Sequence, residues 1–299
     1  MRLLRSYLFA PGSDDVLLGK AFRAGADAVV LDLEDSVPEG EKERARANVR
    51  SAIARHAAAP AGPVLAFVRI NSLHSPHWRA DVDALTGPEV AGLRVPKVED
   101  SVSLCRLNDA ILAREHSLGL PAGSIRIVAT IESARGIARL GSMARSPRVR
   151  GFTFGAADYV ADLGADPSDD LATLFARSAL VVESRSARLE PPVASVFTRL
   201  NDDEGLRADT LKQRALGFFG RSAIHPRQLP VIHRAFDPTA AEVERARKEI
   251  AVYEAAGAQG RGASQWDGGF IDLAIVRRAR AVLELHGAAA AEAAREDPR

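Results

Sequence analysis

The chain has 299 residues, 46% of them hydrophobic, which is enough for one large α/β domain with a small appendage. Its 40 Lys and Arg residues nearly balance 39 Asp and Glu residues, and no basic stripe stands out, so nucleic acid is not an expected partner. The lone Cys105 cannot form an internal disulfide, which favours a reducing compartment. The first apolar run stops at Pro11 and no segment approaches a membrane span. We therefore expect a cytoplasmic protein with no membrane partner.

Strand-like and helix-like segments alternate over the first 236 residues. Short runs rich in β-branched residues predict strands, whereas apolar residues at helical spacing predict helices. Eight strand–helix units of regular length predict a (β/α)₈ TIM barrel over residues 1–236, with a doubly wound sheet as the alternative. The predicted strands are 6–10, 28–34, 64–70, 92–97, 126–132, 151–155, 192–196 and 221–225. The predicted helices are 14–24, 40–57, 80–85, 101–118, 134–144, 171–188, 205–216 and 227–235.

Residues 237–299 fall outside the eight units. The pattern predicts helices over 240–256 and 271–285, separated by a loop over 257–269 that contains five glycines. The last residues contain few large side chains and predict a frayed tail. We interpret this second part as a small helical lid segment carried by a mobile loop.

Two apolar runs of the predicted barrel lead into carboxylates. Glu132 ends the run RIVATIE, and Asp158 follows Phe154 and three small residues. The carboxyl ends of parallel strands meet at one face of a barrel, so both carboxylates are expected to point into the same space. Two hard oxygen ligands are suited to Mg²⁺, which keeps several waters or substrate oxygens. The alternative is that both acids cap helices.

Other polar residues stand at the predicted strand ends. Arg69 presents a planar fork suited to a substrate carboxylate, although it is alternatively a buried ion-pair partner. Glu34 and Asp35 are candidate catalytic residues that hold metal-bound water, or else they cap the following helix. His225 is equally interpretable as a core histidine. We expect Lys42 and Arg46 to lie on the solvent-exposed face of a helix.

Several sequence segments, taken together, are specific to one family. The chain resembles the β-subunit-like proteins of citrate lyase, within the HpcH/HpaI aldolase group, and in layout the branch of malyl-CoA and citramalyl-CoA lyases that carries a lid. The resemblance runs nearly end to end and rests on RSYLFAPG, GADAVVLDLEDSV, VRIN, GLRVPKVE, ATIESARG, FGAADYVADLG, GRSAIHPRQ and WDGGFID.

The resemblance implies a TIM barrel that assembles as a homotrimer or a dimer of trimers. It implies Mg²⁺ on Glu132 and Asp158, and a 2-oxoacid carboxylate on Arg69, with the amides near Ala156 and Ala157 as further anchors. It implies that an aspartate on the lid reaches a neighbouring subunit and assists proton transfer. It places Phe9, Lys20, Ile224 and His225 at the coenzyme A thioester. It places Asp272 on the lid.

The activity implied is Mg²⁺-dependent cleavage of a 3-hydroxyacyl-CoA into an acyl-CoA and a 2-oxoacid. The alternatives are a malyl-CoA thioesterase or malate-synthase-like activity, a pyruvate aldolase acting on free acids, and a citrate lyase β subunit serving an acyl-carrier thioester. Departures from the family pattern bear on substrate choice more than on chemistry. They are Phe270 and Ala274 in the lid, and Val16 where some relatives carry a basic residue.

Overall fold

The structure is a computed structural model, and it describes residues 4–58, 64–166, 170–258 and 262–296, with side chains described up to residue 287. The chain divides into two compact units, Leu3–Ile232 and His233–Arg299. In the described part of the chain, no helix is long and apolar enough to cross a bilayer. The predicted division at residues 236 and 237, and the lid role of the second part, stay predictions.

The first unit is built on a curled sheet of seven parallel strands in the order β6-β5-β4-β3-β2-β1-β7. Nearly every strand residue is buried, which is typical of a parallel sheet covered on both faces. This sheet confirms the predicted α/β class. The strands are β1 Ser6–Pro11, β2 Ala28–Asp32, β3 Leu65–Arg69, β4 Val90–Val95, β5 Arg126–Ile131, β6 Val149–Phe154 and β7 Arg221–Ala223.

A two-residue segment joins the two edges of this sheet. Val193 pairs with Thr153 of β6, and Ala194 pairs with Arg221 of β7, both in parallel. The strand predicted over 192–196 is therefore reduced to two bridges. Because these bridges link the edge strands, the backbone pairing runs around a ring, and the fold is TIM-barrel-like.

Helices follow most strands and cover the outside of the sheet. Asp side chains begin several of them by accepting backbone N–H groups: Asp14 from Val16 and Leu17, and Asp100 from Ser103. The helix predicted over 134–144 is two short helices, and a helix that the sequence pattern missed begins at Ala156. The helices of this unit are α1 Asp15–Ala21, α2 Lys42–Ala57, α3 Trp78–Leu85, α4 Ser101–Ser117, α5 Ala134–Ala138, α6 Leu140–Met143, α7 Ala156–Leu163, α8 Leu171–Ser186 and α9 Asp203–Leu216. Helix α10, Leu229–Phe236, follows the short 3₁₀ turn Pro226–Gln228.

The interior of the sheet changes character along the strand direction. Toward the amino ends of the strands, the interior is filled by an apolar cluster that includes Tyr7, Phe67 and Val128. Two residues further along the same strands, where side chains return to the same face, stand Phe9, Arg69 and Thr130. The polar layer therefore lies toward the carboxyl ends of the strands, where barrels of this kind hold their active sites.

The second unit contains two helices and a β-hairpin. Helix α11, Ala240–Gly257, begins with a capping box formed by Thr239 and Glu242. The predicted glycine-rich loop is wrong in part, because β8 Ser264–Trp266 pairs in antiparallel register with β9 Gly269–Ile271. Asp267 and Gly268 have φ angles of 52° and 71°, as a two-residue hairpin turn requires. Helix α12 spans Leu273–Glu296, eleven residues beyond the predicted end at 285.

Candidate active site

Arg69 is held by acids at the end of β2. Its Nε and Nη2 atoms donate to the two oxygens of Asp32 at 2.6 and 2.7 Å, because the two residues stand in register on neighbouring strands. Its Nη1 lies 2.9 Å from Oε2 of Glu34. The Arg69 hydrogen bonds lower the pKa of Asp32, although burial alone would raise it. Arg69 is thus a buried ion-pair partner, and its predicted contact with a substrate carboxylate stays a prediction. One N–H on each of Nη1 and Nη2 is left for a ligand.

Lys97 connects three carboxylates. Its backbone N–H donates to Oε1 of Glu132 at 2.6 Å, and its Nζ donates to Glu34 at 2.6 Å and to Asp35 at 3.3 Å. These bonds offset the effect of desolvation, so the pKa of Lys97 is raised. The φ angle of Lys97 is 53°, a left-handed conformation that non-glycine residues adopt at a cost. The amide that donates to Glu132 therefore belongs to a residue in this left-handed conformation.

Glu34 and Asp35 therefore face Lys97 and Arg69. Neither side chain caps the helix that follows, so the capping alternative is wrong for both. Burial raises the pKa of Glu34, although the charge of Arg69, whose Nη1 is paired with its Oε2 atom, opposes that shift. Their predicted catalytic role stays a prediction.

Glu132 and Asp158 line one cavity, as predicted. Glu132 is 7% exposed. Burial, reinforced by the charges of Asp158 and Glu34, raises the pKa of Glu132 to about 8. Neither residue is an N-cap, since Ser133 and Gly155 occupy those positions. Asp158 lies in the first turn of α7 and not at the strand end.

Gly155 makes room for Glu132. A Cβ atom at residue 155 would lie 2.5 Å from the Cβ of Glu132, closer than real Cβ atoms approach. Only glycine allows the Glu132 side chain to pass β6 and reach the cavity.

The two carboxylates have the chemistry of a Mg²⁺ site. They are hard oxygen ligands in one cavity, and a bound cation would offset both the burial and the mutual repulsion that raise the pKa of Glu132. In the described ranges, no group of three or more His, Cys, Asp or Glu side chains is placed to hold a metal. The pair would therefore leave several coordination positions to water or substrate oxygens.

The start of α7 supplies one of the two expected amides. The Ala156 N–H donates to Oγ of Ser195 at 3.0 Å, and that hydroxyl donates to the carbonyl of Phe154 at 2.5 Å. The Ala157 N–H has no such acceptor within the part of the chain that the structure describes. It lies at a helix N-terminus, where backbone N–H groups favour an anion.

Arg94 is a cation that the sequence analysis missed. It is 4% exposed, and it stands in register with Arg69 on the adjacent strand. Its Nη2 donates to the hydroxyls of Thr153 and Ser222, the latter at 2.7 Å. Burial lowers the pKa of Arg94 to about 10. The available signal in the sequence was a lone charge inside the apolar strand segment GLRV.

A cavity of about 670 Å³, a size typical of a ligand pocket, is lined by Arg69, Arg94, Glu132 and Asp158. Its inner wall carries Phe9, whose ring centre lies 5.2 Å from Cζ of Arg69 and 5.1 Å from Cζ of Arg94. Of the residues predicted at the site, the cavity is lined by Phe9, Arg69, Glu132, Ala156, Ala157 and Asp158.

Other predicted residues lie elsewhere. Lys20 is exposed in the last turn of α1, and Ile224 is 41% exposed. His225 is also exposed, so the core interpretation is wrong; its Nδ1 accepts the Arg227 N–H and begins the 3₁₀ turn. None of the three lines the cavity. Their coenzyme A role stays a prediction.

The prediction that Lys42 and Arg46 lie on a solvated helix face is wrong. Lys42 is buried and donates to the carbonyls of Leu33 and Glu34 at 2.7 and 2.9 Å. Arg46 pairs with the buried Asp81 at 3.0 Å. Lys42 therefore fixes the loop after β2, which carries Glu34 and Asp35, whereas Arg46 joins α2 to Asp81 of α3.

Asp272 lies in the second unit. Its Oδ1 accepts the N–H groups of Ala274 and Ile275 at 2.9 and 3.1 Å, so it caps α12. Capping does not test the predicted role in proton transfer, since a carboxylate can do both.

Comparisons with known proteins identify the family of this chain. The HpcH/HpaI aldolase/citrate lyase family matches residues 5–226. A citrate lyase subunit beta-like protein of Deinococcus radiodurans is 38% identical over 283 residues, covering 94% of this chain and 96% of that protein. The L-malyl-CoA/beta-methylmalyl-CoA lyase of Rhodobacter capsulatus is 34% identical, covering 94% of each.

A solved structure extends the similarity to three dimensions. The crystal structure of the protein CitE from Mycobacterium tuberculosis in complex with magnesium, acetoacetate and coenzyme A has a TM-score of 0.77 and 28% identity. The match covers 95% of this chain and 98% of that one. The chain belongs to the HpcH/HpaI aldolase/citrate lyase family.

Proposed function

We propose that this chain is a Mg²⁺-dependent carbon–carbon lyase that cleaves a 3-hydroxyacyl-CoA of the malyl-CoA or citramalyl-CoA type into an acyl-CoA and a 2-oxoacid. The observation that carries the proposal is the pair of carboxylates, Glu132 and Asp158, lining a cavity whose wall also includes five arginines, Arg69 among them. The magnesium and coenzyme A bound to the Mycobacterium tuberculosis relative support it.

The reaction breaks the bond between the α-carbon and the carbinol carbon. The hydroxyl loses its proton, the bonding electrons leave with the thioester enolate, and the enolate is then protonated. When bound, Mg²⁺ supplies Lewis-acid polarisation of the oxygen that becomes the ketone. Glu132 and Asp158 would hold the ion, while the remaining N–H groups of Arg69 and the Ala157 amide orient the substrate carboxylate.

Asp272 is the proposed proton donor to the departing enolate, acting on a neighbouring subunit of a homo-oligomer, a trimer or a dimer of trimers. Asn is as good an N-cap as Asp, so Asp272→Asn keeps the start of α12 intact. We expect normal Mg²⁺ binding with a large fall in kcat. Mixing these subunits with Glu132→Ala subunits is expected to recover some activity; full activity of Asp272→Asn alone would exclude the role.

Product analysis tests the reaction. With malyl-CoA and Mg²⁺, the lyase is expected to give glyoxylate and acetyl-CoA, whereas a thioesterase gives free malate. Citramalyl-CoA extends the test to pyruvate as the product. Absence of both 2-oxoacids, with Mg²⁺ bound and the thioester intact, would reject the proposal.

The relatives also favour a second candidate. A citrate lyase subunit beta of Leuconostoc mesenteroides is 34% identical over 289 residues. As such a subunit, the chain would act on a thioester carried by an acyl-carrier protein. That function predicts turnover of the carrier-bound substrate and none of the free coenzyme A thioester, so assaying both forms separates the candidates.

A further inference from the structure

Ser195 stands where the pairing that closes the ring of strands stops. Just before it, the Val193 N–H donates to the Phe152 carbonyl at 2.9 Å, and the Phe154 N–H donates to the Val193 carbonyl at 3.1 Å. A parallel ladder that continued would next join the Phe154 carbonyl to the backbone N–H of residue 195. The Ser195 hydroxyl bonds this carbonyl at 2.5 Å, so a side chain extends the pairing by one step.

The same hydroxyl accepts the first N–H group of α7, from Ala156, at 3.0 Å. The first N–H groups of a helix have no acceptor inside the helix, and the side chain of the N-cap residue ordinarily accepts one of them. The N-cap of α7 is Gly155, which has no side chain to do so. A larger residue is excluded there, because its Cβ would collide with Glu132. Helix α7 therefore takes its cap from Ser195, 39 positions further along the chain.

This cap lies two residues from one of the two proposed magnesium ligands. Asp158 is the third residue of α7, so its position depends on the position of the first turn. Glu132 accepts the Lys97 amide, whereas the Asp158 carboxylate forms no hydrogen bond or ion pair with any described residue. The backbone of α7 is therefore what places the Asp158 carboxylate before a cation binds.

We infer that Ser195 is a positioning residue for the magnesium site. Its two hydrogen bonds tie the first turn of α7 to the end of β6, and so hold Asp158 at the cavity that Glu132 also lines. Because Ser195 occupies the Ala156 N–H, the Ala157 N–H is the amide that remains for a substrate. This inference deepens the proposed function and rests on it for the identity of the two magnesium ligands.

Removing the hydroxyl tests the inference on metal binding, with no turnover needed. Ser195→Ala deprives the Phe154 carbonyl and the Ala156 N–H of this partner. In a calorimetric titration we expect the affinity for Mg²⁺ to fall about 10- to 100-fold, as when a group that orients a metal ligand is lost. Ser195→Thr keeps a hydroxyl that can accept and donate, and it is expected to bind Mg²⁺ more tightly than Ser195→Ala. Unchanged Mg²⁺ affinity in Ser195→Ala would overturn the inference.

Hydrogen exchange follows the first turn of α7 in the metal-free protein. In Ser195→Ala the amides of residues 156–158 are expected to exchange about five- to tenfold faster, the effect of a lost helix cap. Ser195→Thr is expected to restore their protection. Unchanged exchange in Ser195→Ala would show that the hydroxyl does not hold the turn. A Thr variant with restored protection and Mg²⁺ binding as weak as that of the Ala variant would show that the turn does not position Asp158. Either result overturns the inference.

Asp100→Ala is the matched control for a general loss of stability. Asp100 caps α4 by accepting the Ser103 N–H at 2.7 Å, and it does not line the cavity. We expect urea denaturation to show a similar loss of stability in Asp100→Ala and Ser195→Ala, with Mg²⁺ affinity reduced only in Ser195→Ala. An equal fall in Mg²⁺ affinity in both variants would make Ser195 merely structural. A wild type that binds Mg²⁺ with the help of Ser195 but cleaves no thioester would reject only the proposed function.

Discussion

Two buried carboxylates of the first unit, Glu115 and Glu132, are held by the protein in different ways. Behind the sheet, Arg148 donates to both oxygens of Glu115 at 2.8 and 2.7 Å. Glu115 also accepts the N–H groups of Gly123 and Ile125 and the Ser124 hydroxyl, all at 3.0 to 3.1 Å. At the carboxyl ends of the strands, Glu132 accepts a single described bond, from the Lys97 amide.

The difference appears in the pKa values. The pKa of Glu115 is lowered to about 2, since the bonds from Arg148 and the loop amides outweigh burial. The pKa of Glu132 is instead raised to about 8 by burial and by neighbouring carboxylates. One carboxylate is fully compensated by the protein and stabilises the fold. The other is left for a cation from solution, which is the pattern expected of a functional site.

Exchanging each carboxylate for its amide has the largest expected effect. Glu132→Gln removes a proposed metal ligand, so we expect kcat/KM with Mg²⁺ to fall about a thousandfold or more, while metal-free stability is unchanged or higher. Glu115→Gln is the matched control, with normal kcat and lower stability. Turnover assays and urea denaturation measure the two properties. Normal turnover by Glu132→Gln would remove the distinction between the two sites.

The acid dependence of stability sharpens the same comparison. Because the Glu115 pKa is below its ordinary value of 4.5, its contribution is fully present above that pH and is lost as the pH falls toward 2. Breaking a buried pair costs about 3 kcal/mol, so Glu115→Gln is expected to be that much less stable at pH 7. The gap to the wild type is expected to narrow between pH 5 and pH 3. A gap that is constant across this range would contradict the assignment.

The strand–helix alternation was readable from sequence because parallel strands buried on both faces are continuous apolar runs. The predicted strands over 6–10, 64–70 and 126–132 each coincide with a strand to within two residues at each end. The strand over 192–196 was overestimated, since only Val193 and Ala194 pair. The hairpin after residue 257 was missed, although Asp267 and Gly268 are the turn residues that such a hairpin prefers.

At the site, sequence position identified residues that follow apolar runs, and it failed for charges inside them. Glu132 and Arg69 were found because each stands at the end of a strand. Asp32 and Arg94 were missed, because their relation to Arg69 depends on the register between strands, which no local pattern specifies. The left-handed backbone conformation of Lys97 could not be predicted from the sequence either.

A methyl group added at Gly155 is expected to have a smaller effect than the two changes above. Gly155→Ala places a Cβ against the Glu132 side chain, so Glu132 must move, at a cost of about 1–3 kcal/mol. We expect Mg²⁺ affinity to fall about 10- to 100-fold, as when a group that orients a ligand is disturbed. Gly151→Ala in the preceding strand β6 is the control, because the closest atom to its Cβ would be 3.6 Å away. Equal Mg²⁺ affinity in the two variants would exclude steric positioning of Glu132.

Substitution of Lys97 is expected to have the smallest effect. It distinguishes the role of the Lys97 backbone from that of its side chain. Replacing Lys97 by either Gly or Ala removes the bonds to Glu34 and Asp35, but the amide that donates to Glu132 stays. Gly adopts a φ of 53° freely, whereas Ala does not, so the Gly variant is expected to be more stable than the Ala variant by about 1 kcal/mol. The side chain itself is 44% exposed, so solvent weakens its two ion pairs, and their loss alone is expected to cost less than about 1 kcal/mol. If the amide positions Glu132, Mg²⁺ affinity is expected to follow the same order, with Gly close to wild type and Ala weaker. Equal stability and equal Mg²⁺ affinity of the two variants would show that the left-handed backbone of Lys97 has no part in holding Glu132.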